Sequence, residues 1–247
     1  MVHAGRIYET NGAEAVAVHE AAEVRPLSPI PHAPSVRVFH TDLQPDILAG
    51  AEADDPLYFY ANPSPIGGAS QSVPYPEWCT ELSVFPAVAV AIVSDGHRID
   101  VSDADDVILG YMLLNLLVAR DVERRERRYG VLGRSHDLGG VLGPVITTPD
   151  ELEEEVEDAE FGRRFALTAA LRVNGVERGR GGMDNFPFTF AQAISAASQS
   201  APLRAGDLFA IGPIAIPEEP IILEPGDQVQ LAVDKLGTLT LNVANPL

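Results

Sequence analysis

The 247-residue chain has a single cysteine, Cys79, and a single tryptophan, Trp78. One cysteine excludes an intrachain disulfide, and a reducing cytoplasm is the compartment that suits such a chain. Cations are also scarce: 17 Lys and Arg stand against 36 Asp and Glu, a formal net charge of −19. Nucleic acid and anionic membrane surfaces both call for clustered Lys and Arg, so neither is an expected partner. The longest apolar runs, FPAVAVAIV and YMLLNLLVA, fall far short of the about 20 residues that span a bilayer. The opening residues, MVHAGRIYET, hold no apolar stretch of the kind a secretory signal carries, so a cytoplasmic protein is expected. Gly-x-Ser-x-Gly, a P-loop and a Gly-x-Gly-x-x-Gly after a strand are all missing, which removes three common sequence routes to hydrolase or nucleotide chemistry.

What is present reads as a folded, mainly β protein. Hydrophobic residues make up 46% of the chain, enough for a sizeable core. GRIYE and AVAVHE flank Asn11-Gly12, a hairpin turn signal, and RPLSPIPHAP places four prolines in ten residues as an extended linker. A small N-terminal strand pair with its linker (1–35) is therefore expected before a mainly β (α+β) domain (36–247). In that domain LYFY, VAVAIV, PVITT, FALTAALRVNG, DLFAIGPIAI, DQVQLAVDK and TLTLNV alternate with Pro/Gly turns as short strands. Two helices are expected: one starts at Ser102 as N-cap and runs through DADDVILGYMLLNLLVARDV, and the other is FPFTFAQAISAAS with Pro187 in its opening turn. DELEEEVEDAE (150–160) reads as a solvated loop or helix start. RDVERRERRYG (120–130) reads as a solvated helix end that pairs with it, with an anion site as the alternative. The turn with Arg178, Gly179, Arg180, Gly181 and Gly182 reads as a loop rather than a phosphate cradle.

Six segments carry a family likeness. FYANPSPIGG, SDADDVILGYMLLNLLVARDVE, GRSHDLGGVLGPVITTPDEL, LRVNGVERGRGG, LRAGDLFAIGPI and LEPGDQVQLAVDKLGTLTLNV occur in this order. Each resembles a motif of the fumarylacetoacetate hydrolase superfamily, such as "F.KNPSSIIG", "GKSFD" and "LRPGDVILTGTP". The resemblance implies a mixed β-sandwich or barrel, a homodimer, and a pocket at one mouth of the sheet. It also implies a divalent metal held by a Glu-x-Glu pair and an Asp, used to stabilise an enolate.

Those ligand positions have changed. Asn115, Ala119, Arg120 and Asp121 keep the register of the family's "ANDVSARD", which puts Leu116 at the Asp. Counting back without gaps from Gly96 puts Phe85 and Ala87 at the Glu-x-Glu pair; a gapped alignment of EWCTEL puts Cys79 and Glu81 there. Hard cations need oxygen ligands, so either alignment breaks the set, and no metal or other cofactor is expected. The resemblance places Arg134 at the family's substrate-facing Lys, Pro213 at its Thr and His136 at a Phe. His40 lies out of register with the family's water-activating His and reads as a surface or strand-end residue.

The expected catalytic residues are Arg134, His136 and Asn115, with Phe85, Ala87, Leu116 and Pro213 lining the substrate pocket. Arg134 or Asn115 would polarise a carbonyl and His136 would serve as acid or base. The alternatives are an Arg134–Asp137 structural pair and a packing role for His136. Asp121 and Asp137 read as structural, and Cys79 lacks a partner base. The leading expectation is a metal-independent enzyme acting on a small, largely apolar keto or enol compound, by cyclisation or isomerisation of a polyketide-like molecule in biosynthesis. A binding pseudoenzyme and a β-keto acid hydrolase or decarboxylase with a metal site rebuilt around Glu81 are the alternatives.

Overall fold

A computed structural model describes residues 2–3, 6–11, 14–20, 26–41, 56–158, 160–217 and 219–246. Its strands, in chain order, are β1 (Val2–His3), β2 (Arg6–Asn11), β3 (Glu14–Glu20), β4 (Val36–His40), β5 (Tyr58–Ala61), β6 (Ile66–Gly67), β7 (Ser72–Pro74), β8 (Leu82–Ile92), β9 (Ile108–Ala119), β10 (Gly140–Thr147), β11 (Val156–Asp158), β12 (Arg164–Phe165), β13 (Thr168–Val173), β14 (Val176–Gly182), β15 (Leu208–Gly212), β16 (Gln228–Val233) and β17 (Gly237–Ala244). The helices are α1 (Val101–Ala104), α2 (Arg120–Arg127) and α3 (Phe190–Ser200). The fold is mainly β, as the alternating short runs predict. None of the helices among the described residues is long and apolar enough to cross a membrane.

Two sheets carry the body. A seven-stranded sheet runs β5-β4-β15-β8-β9-β10-β6, and a five-stranded sheet runs β14-β13-β16-β17-β7. Alternation along β8 and β9 splits the large sheet into two apolar faces. Val84, Val88 and Val90 with Leu113 and Leu117 join the five-stranded sheet and α3 in one core, while Phe85, Ala87 and Ala89 with Leu114 and Leu116 form a second core on the opposite face. The proline-rich segment helps to close that second face, because Ile30 and Ala33 pack on it. Gly68 lets the segment lie close, since a Cβ there would stand 2.4 Å from the Pro26 carbonyl oxygen.

Burial on both faces corrects one helix. The segment expected to be helical from Ser102 is a short α1 with Asp100 at its N-cap position, a 3-10 turn over Asp105–Val107, and then the twelve-residue strand β9. A strand covered on both sides loses its polar alternation and reads as a continuous apolar run, which periodicity cannot separate from a buried helix. The other helix forms as α3, but its cap is Thr189 in a capping box with Gln192, and Pro187 precedes it. β2 and β3 pair antiparallel around the expected turn, whose Gly12 lies outside the described residues.

Candidate active site

The N-terminal ends of β8 and β10 and the C-terminal ends of β4, β9 and β15 meet at one end of the large sheet. Helix α2 continues directly from β9 at that end. Arg120, Glu123 and Arg127 stand at i, i+3 and i+7, so they share one helix face. Arg120 Nη1 donates to Glu123 Oε2 at 2.7 Å, and Arg127 Nη2 donates to Oε1 at 2.9 Å. Glu123 is 3% exposed. Burial acts to raise its pKa, but the two guanidinium groups outweigh burial and hold the carboxyl below its usual range. These three residues line a cleft of about 680 Å³. The apolar side of the cleft is Pro213, Ile216, Pro217, Pro220, Ile221 and Ile222, with Val84 and Pro86 from β8. At its rim Arg124 grips Glu81 with two hydrogen bonds, of 2.6 and 2.8 Å. The Arg120–Glu123–Arg127 triad leaves one net positive charge in an otherwise strongly acidic protein.

Behind Glu123 lies His136, from a 3-10 turn at Arg134–His136. Its Nε2 is 3.5 Å from Glu123 Oε1, and neither ring nitrogen has a hydrogen-bond partner. The imidazole is 2% exposed and stacks on Phe59 at 4.4 Å, with the His40 ring 6.2 Å away. Burial pushes its pKa down to about 4 against the pull of Glu123, and His40 adds to the depression. The turn is fixed by Glu126, whose carboxylate accepts the backbone N–H groups of Gly133, Arg134 and Ser135 and the Ser135 hydroxyl.

On the sheet side of His136 the surroundings are apolar. Phe85 and Leu116 are cross-strand partners, and Ala87 is next along the same face. All three are at most 1% exposed. The Phe85 ring meets the edge of His40 at 4.9 Å. Gly212 makes room for it: a Cβ there would come within 2.7 Å of a Phe85 ring carbon and 3.0 Å of the Ala87 Cβ.

Residues 40–244 match the sequence profile of the family described as Fumarylacetoacetate (FAA) hydrolase C-terminal. The chain belongs to the fumarylacetoacetate hydrolase family. It is 30% identical over 202 residues to the oxaloacetate tautomerase YisK of Bacillus subtilis (strain 168), a match covering 78% of this chain and 64% of that protein. It is 28% identical over 195 residues to the 2,4-didehydro-3-deoxy-L-rhamnonate hydrolase of Sphingomonas sp. (strain SKA58), covering 74% of this chain and 63% of that protein. The chain thus spans under two thirds of the length of these two curated relatives. The crystal structure of 2-hydroxyhepta-2,4-diene-1,7-dioate isomerase from Mycobacterium marinum superposes with a TM-score of 0.74 at 25% identity, covering 93% of this chain and 81% of that one.

The residues that the resemblance sets at the family's ligand positions do not fit a divalent cation. Phe85, Ala87 and Leu116 offer no oxygen and fill their space. The gapped alternative fares no better, because Glu81 is tied to Arg124, and the buried Cys79 thiol donates to Asp121 at 3.7 Å with its pKa pushed up to about 11 by burial. Among the described residues no group of three or more His, Cys, Asp or Glu is placed to hold a metal.

Of the expected site residues, the structure brings His136 together with Phe85, and it sets Pro213 in the cleft wall. Two placements correct the expectation. Arg134 is exposed, its guanidinium 4.1 Å over the Trp78 ring, because the 3-10 turn that buries His136 points Arg134 outward. Asn115 is fully buried on the opposite face of the sheet from Leu116, as consecutive strand residues must be, and pairs with Pro86 and Val141. Phe85, Ala87 and Leu116 are core and do not line the 680 Å³ cleft. The basic run is not simply a solvated helix end, since Arg120 and Arg127 pair with Glu123 inside it; of the acidic run, Glu153 and Glu155 pair with Arg163 and Lys235. Asp121 is structural as expected, capping Thr80 through its backbone N–H and hydroxyl. Sequence reasoning missed Arg120, Glu123 and Arg127 as site residues, although their i, i+3, i+7 spacing was visible. His40 does end a strand, but it is buried in the aromatic nest.

Proposed function

We propose that this protein is a metal-independent isomerase- or tautomerase-type enzyme for a small keto or enol compound with an anionic head and an apolar body. Cyclisation of a polyketide-like molecule is a special case of the same enolate chemistry, and assembly as a homodimer belongs to the same reading. The observation that carries it is the cleft: an apolar wall of Ile216, Pro217, Pro220, Ile221 and Ile222 faces a pair of arginines with one net positive charge. A guanidinium has five N–H donors, so Arg120 and Arg127 keep donors for a ligand after serving Glu123. Those donors suit a carboxylate or the oxygen on which an enolate's charge develops. The relatives support the class, since they are named as a tautomerase, a hydrolase and an isomerase of small keto or enol acids.

Phenylpyruvate, a keto acid with an apolar ring, tests the reading. Chelator-treated protein should bind it and speed its enol–keto interconversion, followed by the enol absorbance. Arg120→Met with Arg127→Met should weaken binding by about 2 kcal/mol or more, the range for charge-assisted hydrogen bonds. Binding without any acceleration would favour the second reading, a binding pseudoenzyme, which the filled Phe85–Leu116 side supports. Activity that appears only with added Mn2+ would overturn metal independence.

A further inference from the structure

Glu123 and His136 form a buried pair that no described structural role accounts for. A buried imidazole with both nitrogens unsatisfied costs stability, and the aromatic nest of Phe59 and Phe85 would be served as well by an apolar ring. Among the described residues Glu123 is likewise the one buried carboxylate on the cleft wall. Its two oxygens have about four lone-pair sites in all. Arg120 takes one on Oε2 and Arg127 takes one on Oε1. His136 Nε2 stands 3.5 Å from Oε1 without a hydrogen bond, and the carboxylate still borders the cleft.

We infer that Glu123 is the base that moves the substrate's proton and that His136 is the positioning residue behind it, holding the carboxylate's orientation and sharing the proton. The inference rests on the cleft reading above. In the step, the C–H bond next to the substrate carbonyl breaks. Its proton goes to a Glu123 oxygen, its electron pair becomes the carbon–carbon double bond, and the negative charge passes to the carbonyl oxygen, which Arg120 and Arg127 hold. Return of the same proton to that oxygen gives the enol, and return to carbon gives back the ketone. The arginines connect binding to basicity. Alone they hold Glu123 ionised and weakly basic; an anionic ligand that draws on their donors loosens that hold at the moment the proton is needed.

The test is hydrogen–deuterium exchange at the C3 position of phenylpyruvate in D2O, read by proton NMR above the uncatalysed background, with binding measured separately by saturation transfer. Wild-type protein should bind and exchange. Glu123→Gln keeps the size and accepts from the arginines, so it should bind the anion as tightly or more tightly while exchange falls by at least about a hundredfold. Glu123→Asp, which keeps the charge and withdraws it by one methylene, gives the same reading should the Gln variant not fold. His136→Phe should keep affinity and be at least as thermally stable as wild type while exchange falls by about tenfold. Exchange by Glu123→Gln at the wild-type rate overturns the assignment of the base, and exchange by His136→Phe within about twofold of wild type reduces His136 to packing. Wild-type binding without exchange overturns the proton step and leaves the cleft reading standing. Absence of wild-type binding overturns the cleft reading and this inference with it.

Discussion

Phe85, Ala87 and Leu116 lie within the sheet, and Arg120, Glu123 and Arg127 lie on the helix that continues from it, with His136 between the two groups. The first group is dry, filled and uncharged; the second is charged and borders open space. Three carboxylates on one sheet face repel one another and lose hydration, so they are stable together only around a cation. A carboxylate between two arginines one helical turn away on either side is neutralised by its own element and needs nothing else. In the function proposed above, the polar site of this frame sits on the helix, while the sheet face beside it is apolar.

Moving it back is the most disruptive way to break the contrast. Phe85→Glu, Ala87→Glu and Leu116→Asp together should destabilise the protein by more than about 5 kcal/mol, enough to remove a cooperative transition in urea. A midpoint like that of wild type would show that these side chains do not share the packed face described for them. Recovery of the transition in millimolar Mn2+ would show that the three positions can still build a metal site in this frame.

The pH response separates the two groups less violently. His136 titrates near 4 in the folded protein, against an ordinary value of 6.5. Between those values the unfolded chain binds a proton that the folded protein does not, so stability falls as the pH drops from 6.5 towards 4, by on the order of 3 kcal/mol. Below about 4 both states are protonated and this contribution stops changing. Glu123, whose carboxyl is held low by Arg120 and Arg127, loses its contribution as the pH falls from its ordinary value of 4.5 through that lowered one. His136→Phe should flatten the urea midpoint between pH 4 and 6.5. A slope that survives the substitution would assign the effect to other groups.

The same contrast explains what could be read from the sequence. Six motifs in order define the family fold, but the anchors around Asn115 fix only the place of Leu116 in the motif; that it sits on a strand paired with Phe85 comes from the structure. The β9 strand was hidden because a sheet buried on both faces leaves no polar alternation to read. Glu123 was hidden for the opposite reason. A carboxylate among arginines on a short helix resembles any solvated helix end, and the His136 turn that packs on it, like the Pro213 and Ile221 that share its cleft, is remote from it in the chain. Arg134 was misplaced because a motif fixes a residue's position in the chain and leaves the direction of its side chain open in a tight 3-10 turn.

Arg134 therefore supplies the smallest and sharpest comparison, with His136 two residues along the same turn. Its guanidinium rests on the exposed Trp78 ring, and its backbone N–H rather than its side chain holds the turn to Glu126. Arg134→Met keeps the stem against the ring and deletes the charge. An exposed cation–π contact is worth about 0.5–1 kcal/mol, so the urea midpoint should fall only slightly. Phenylpyruvate affinity and exchange should stay at wild-type levels, because the cations that line the cleft are Arg120, Arg124 and Arg127, and Arg134 is not among them. Trp78 is the sole tryptophan, so its fluorescence reports the loss of the contact directly. A loss of affinity of about 2 kcal/mol or more with stability intact would instead return Arg134 to the substrate-facing role its motif implies, and would mean that the turn swings it into the cleft when ligand binds.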